Sequence, residues 1–79
     1  VKIQLKLFAG LRVKLPPSAE RHLAELDVPV GATVLDVLRR LEVPPEQGKL
    51  ILINGRHAEL NSRLAPGDLL AVFPPVGGG

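Results

Sequence analysis

One stretch constrains this chain more than any other. GATVLDVLRRLEVPP, residues 31–45, places Val34, Val37, Leu38 and Leu41 at helical spacing. A helix there is apolar along one stripe only, and such a stripe must be covered by a second layer. Thr33 is a good N-cap, and Asp36 three residues later completes an aspartate version of the capping box. Pro44-Pro45 predict the helix end, because the residue before a proline is pushed out of the helical region.

The segments around this helix alternate with the period of strands. In KIQLKLF, Ile3, Leu5 and Leu7 point one way, while Lys2, Gln4, Lys6 and Phe8 point the other. A long loop, AGLRVKLPPSAER, is punctuated by Gly10 and Pro16-Pro17. A second alternation follows, with Ala24, Leu26 and Val28 on one face and Glu25 and Asp27 on the other, so the two runs predict an antiparallel hairpin. LILINGRHA reads as a strand entering a type I′ turn at Asn54-Gly55, where both residues accept positive φ. Pro66-Gly67 stand in the order of a type II turn, before a final strand from about Leu69 to Phe73. That strand is apolar on both faces, Leu70 and Val72 against Leu69, Ala71 and Phe73, which predicts a central position. The order strand, strand, helix, strand, short strand, strand predicts an α+β, ubiquitin-like β-grasp. One main helix packs on one face of a mixed four- to five-stranded sheet, with the last strand parallel to the first.

At 79 residues the chain is one domain with a modest core, and Phe8 and Phe73 are its only aromatics, so that core is Leu, Val and Ile. It has no cysteine, which excludes a disulfide framework, a thiolate metal site and a cysteine nucleophile. The start has no signal-peptide pattern and no apolar run spans a bilayer, so a cytoplasmic protein without membrane association is expected. Net charge is +2, the basic clusters are Arg39-Arg40 and Arg12/Lys14, and no base-stacking aromatic pattern accompanies them. Nucleic acid is not an expected ligand.

Catalytic side chains are few. His22 and His57 lie in different segments without short-spaced partners, so no metal site is expected, and surface or strand-face histidines are the plain reading. Ser18 and Ser62 sit in turn-like contexts with no histidine to activate them, and Asp36 and Asp68 have capping and turn roles. The chemically distinct group left is the carboxylate of Gly79. Pro74-Pro75 cannot extend a ladder and favour a stiff polyproline segment, directing FPPVGGG away from the sheet. Six residues beyond Phe73 reach about 20 Å when extended. Gly77, Gly78 and Gly79, lacking Cβ atoms, can enter a channel too narrow for any other residue. Fixing three glycines costs at least roughly 3–6 kcal/mol, which backbone hydrogen bonds at about 0.5–1.5 kcal/mol each barely offset. Most docking energy must therefore come from the folded body (residues 1–76), through an outer face with Phe8, Leu69, Ala71 and Phe73, and the glycine tail 77–79 is expected to be flexible.

KLFAGLR, GATVLDVLRRL and LAPGDLLAVFPPVGGG together resemble the molybdopterin synthase small subunits, a branch of the ubiquitin-like sulfur carriers that also include the thiamine-pathway carriers. The similarity runs nearly end to end, and its specific part is the ending G-D-x-x-A-x-F-P-P-V-x-G-G, Gly67 to Gly79. The resemblance implies that a partner adenylating, E1-like enzyme spends ATP to activate the Gly79 carboxylate. Sulfur from a persulfide donor then replaces AMP, giving a thiocarboxylate. The tail next enters the molybdopterin synthase large subunit and gives its sulfur to a pterin precursor, in a heterotetramer with two of each subunit. It also implies that Phe8 and Phe73 are docking positions, that Pro74, Pro75 and Val76 continue the partner contact, and that no cofactor is bound by the chain itself. His57 stands where relatives can present an apolar residue, which implies a more polar, pH-sensitive contact. Gly77 replaces another small residue common in the family. Alternatives remain open at this point: a carrier for thiamine, tRNA thiolation or cysteine synthesis, a protein modifier joined through Gly79 to lysines, or a plain interaction module.

Overall fold

The computed structural model describes residues 1–8 and 23–75. Its first strand, β1 (Lys2–Leu7), pairs antiparallel with β2 (Leu23–Asp27) and parallel with the last strand, β5 (Leu69–Phe73). Between them in sequence come α1 (Val34–Arg40), a 3-10 turn (Pro45–Gln47), β3 (Leu50–Ile53) and β4 (Arg56–His57). Sheet order is β2-β1-β5-β3-β4, with β3 antiparallel to both β5 and β4. The expected architecture is found among the described residues: one α-helix, a mixed sheet of five strands, and β5 at its centre.

Alternation does what the pattern requires. Ile3, Leu5 and Leu7 of β1 and Leu70 and Val72 of β5 are buried, as are Val34, Val37 and Leu38 of α1, and all belong to one aliphatic core. Leu41, the fourth member of the helical stripe, is only partly buried against it. Gly48 lies where a Cβ would come within 3.3 Å of a Leu38 methyl, a tight approach, and in ordinary contact at 3.5 Å with a Val72 methyl, so a methyl side chain there would press on Leu38.

The capping box forms as read. The Asp36 N–H donates to Thr33 Oγ1 at 3.2 Å, and the Thr33 N–H donates to Asp36 Oδ2 at 3.0 Å. The bond from the Thr33 backbone, then the Thr33 hydroxyl contact, then Arg39 nearby hold the Asp36 carboxyl below its ordinary value. The Val34 and Leu35 N–H groups, orphans at any helix start, donate to the carbonyls of Ser62 (3.0 Å) and Leu60 (2.8 Å). A loop thus completes the helix N-terminus.

The helix end differs from the expectation. It stops at Arg40, with Leu41 as C-cap, before the prolines act. Glu42 takes φ +59°, the Glu42 N–H donates to Arg39 O (3.1 Å) and the Val43 N–H to Leu38 O (2.8 Å). This is a Schellman termination with glutamate in the left-handed position usually held by glycine. Burial of Val43 beneath the helix supplies the apolar contact that goes with it.

Candidate functional site

Strand pairing assembles the outer face of the sheet, opposite the helix. Because side chains alternate and partners share a face, the register sorts the outward residues into rows. Lys2 faces Asp27, and Gln4 lies between Glu25 and Leu69. The next row runs Leu23, Lys6, Ala71, Leu52, His57. The last places Phe73 against Leu50, with Phe8 one residue beyond the Leu7–Val72 pair. Charge thus fades and apolar surface grows toward the end where β5 runs out. Leu23, Leu50, Leu52, Leu69, Ala71 and both phenylalanines are half-buried, lying on a face that no element of the described chain covers. A layer of this kind fits a partner better than water.

At that end the parallel strands β1 and β5 finish together. The rings of Phe8 and Phe73 stack with centroids 4.0 Å apart and planes within 9°. The Phe8 N–H donates to Val72 O at 3.2 Å, and the Lys49 N–H donates to Phe73 O at 3.0 Å. Phe73 is therefore held by its carbonyl on one side and its ring on the other. Pro74 follows half-buried and Pro75 exposed.

Of the residues expected in the site, Phe8 and Phe73 stack on each other, and Pro74 and Pro75 follow Phe73 directly in the chain. His57 lies on the same outward face beside Leu52, exposed, but on edge strand β4, two strands from Phe73. Val76, Gly77, Gly78, Gly79, His22, Ser18, Arg12 and Lys14 fall outside the described residues, as does the boundary proposed between body and tail. Among the described residues no group of three or more His, Asp or Glu is arranged to hold a metal, and no helix is long and apolar enough to cross a membrane.

Leu23, Leu50 and Leu52 were missed as outer-face residues. For the two in β3 the signal was present: LILI is apolar on both faces, as β5 is. Asn54 also does more than turn the chain. At φ +53°, beside Gly55 at +80°, it forms the type I′ turn. Its side chain donates to Asp68 Oδ1 (2.9 Å) and accepts from the Leu69 N–H (2.9 Å), fixing where β5 starts. Asp68 Oδ2 in turn accepts from the Ala65 N–H (2.8 Å), closing the Pro66-Gly67 turn, whose Gly67 has φ +81°.

The sequence profile of the ThiS family matches residues 5–79. The chain belongs to the ThiS family. This ThiS-family protein has the ubiquitin-like β-grasp of several solved structures. SAMP1 from Haloferax volcanii is 32% identical, with each chain covered in full and a TM-score of 0.70. A second crystal structure, of H. volcanii small archaeal modifier protein 1, gives 31% identity, 95% and 98% coverage and a TM-score of 0.73. A Pyrococcus furiosus protein provisionally named molybdopterin converting factor, subunit 1, gives 28% identity, 96% and 99% coverage and a TM-score of 0.68. No curated protein matches the chain. These matches place the ThiS-family protein in the class of sulfur carriers and ubiquitin-like modifiers.

Proposed function

We propose that this ThiS-family protein is a sulfur carrier and the small subunit of a molybdopterin synthase. In this reading the Gly79 carboxylate attacks ATP on an E1-like adenylating enzyme and pyrophosphate leaves. The terminal sulfur of a persulfide donor then displaces AMP to form an acyl disulfide. A thiol of the partner machinery cleaves its S–S bond, leaving as a disulfide with the donor sulfur and releasing the thiocarboxylate. The resulting thiocarboxylate delivers sulfur to a pterin precursor in the large subunit, with Gly77 and Gly78 threading the channel. ATP is consumed by the partner, and the chain itself binds no cofactor. The outer face carries the docking, through Phe8, Phe73, Pro74, Pro75 and Val76, with His57 at its margin. The observation that carries the reading is the reach of the family match through the glycine run to residue 79. The likeness to a protein named for molybdopterin conversion supports the choice of customer.

A second reading, a protein modifier joined to lysines through Gly79, is favoured by the full-length likeness to SAMP1. Intact mass of the protein from its own cells tests both. Replacing the terminal oxygen by sulfur adds about 16 Da, a shift usually confused with Met or Cys oxidation. With no Cys, Met or Trp in the chain, that confusion does not arise. The expected result is a shifted species confined to the last peptide, followed by thiocarboxylate-dependent dithiolene formation with the large subunit. If adenylating enzyme, ATP and persulfide donor leave the mass unshifted, the carrier reading fails. Conjugates on an anti-tag blot without thiocarboxylate would establish the modifier.

A further inference from the structure

The chain has two aromatic residues and places neither in its core. Phe8 and Phe73, 65 positions apart, meet instead on the outer face where β5 ends. An aliphatic core needed no rings, so their stacking serves something at this spot. Strand ends fray, and the last pair of a sheet is held by few bonds. Here Phe73 is the last strand residue, its carbonyl held by the Lys49 N–H and its ring by Phe8. Beyond it the backbone has little freedom: Pro74 and Pro75 fix their φ angles, and Pro74 confines Phe73 to the extended region. Whatever direction Phe73 holds is thus passed through the prolyl pair to the chain beyond.

We infer that Phe8 is a positioning residue for the C-terminal tail: by stacking on Phe73 it keeps the end of β5 from fraying and so sets the direction in which the tail leaves. This role differs from docking. A docking contact adds to binding of the whole body, whereas a positioning contact raises the fraction of bound molecules whose terminus points into the partner. Loss of the first raises KM, and loss of the second lowers kcat. The kinetic test rests on the carrier reading, while a second, structural test does not.

The first test measures ATP-dependent pyrophosphate release by the adenylating enzyme with the full chain as substrate. Phe8→Leu, which keeps most of the apolar docking area but not the ring, is expected to lower kcat about two- to tenfold, the population factor for an aromatic pair, and any rise in KM from lost docking area is expected to be the smaller effect. Phe8→Tyr, which keeps a ring on Phe73, is expected to restore it. A rise in KM with kcat held overturns the inference and leaves Phe8 as a docking contact only. The second test uses the natural absence of cysteine. Spin labels on Val76→Cys and Glu59→Cys report the tail direction as a distance distribution by pulsed electron resonance, in the protein alone. Phe8→Leu is expected to broaden that distribution and Phe8→Tyr to keep it narrow; an unchanged width overturns the inference. Phe8→Val replaces Phe8→Leu if the latter lowers the unfolding midpoint. If even the unaltered chain is not adenylated, the carrier reading fails while the distance measurement still decides the role of Phe8.

Discussion

The two faces of β5 are built from one five-residue strand and do different work. Leu70 and Val72 point to the helix side and are fully buried among aliphatic neighbours. Leu69, Ala71 and Phe73 point outward, half-buried, onto a face that α1 does not reach. The inner residues are satisfied within the fold, so their burial stabilises it. The outer ones leave apolar area that nothing among the described residues covers. Hydrophobicity in a sequence therefore has two meanings, and the side of the sheet decides between them.

Substitutions at adjacent positions test this division most sharply. Leu70→Ala is expected to destabilise the fold by about 2–5 kcal/mol, read as a fall in the denaturant midpoint. Ala71→Glu is expected to change stability by only about 0.5 kcal/mol, because the introduced carboxylate lies opposite Lys6 in register. It should nonetheless abolish partner-dependent turnover. If both variants lose stability equally, the two faces are not functionally distinct.

A smaller effect is expected at the helix start. Thr33→Ala removes the acceptor for the Asp36 N–H and is expected to cost about 1 kcal/mol, measured by denaturant unfolding. The pH dependence of the same cap follows from the sign of the Asp36 shift. Its folded value is lowered beneath the ordinary 3.8, so its contribution is complete above that value and lost as pH falls through the folded one. The stability difference between the unaltered chain and Asp36→Asn should hold constant from neutral pH down to the ordinary carboxylate range, then close. The smallest effect is expected at the other helix end. Glu42→Gly relieves a left-handed glutamate and is expected to raise stability by about 0.5 kcal/mol, the steric relief less the added freedom of the unfolded chain. It should leave the outer face and its turnover untouched.

The strands, the capping box and both turns were legible because each is written in a few neighbouring residues. Ile3, Leu5 and Leu7 alternate, Thr33 and Asp36 stand three apart, and Asn54-Gly55 and Pro66-Gly67 carry their own φ requirements. The site was legible in part. Phe8 and Phe73 could be placed on neighbouring strands once β1 and β5 were read as parallel. Their ring stack could not be read, because it depends on how two strand ends align.

What the chain's order of residues determined by itself was the set of elements, the stripe that buries α1 and the two-sided character of β5. All of these follow from local periodicity and local φ preference. Tertiary structure decided the rest. Glu42 ends the helix ahead of the prolines, in a turn that accompanies the burial of Val43. The carbonyls of Ser62 and Leu60 complete the helix start, and the Asn54 side chain sets where β5 begins. Leu50, Leu52 and Leu23 join Phe8 and Phe73 on one face only through the register of five strands. The physical reason is common to all four. Three of them link groups far apart in sequence, and the turn at Glu42, whose hydrogen bonds are local, is completed by burying Val43 in a core built from distant segments. That energy exists only once the chain has folded to bring the groups together.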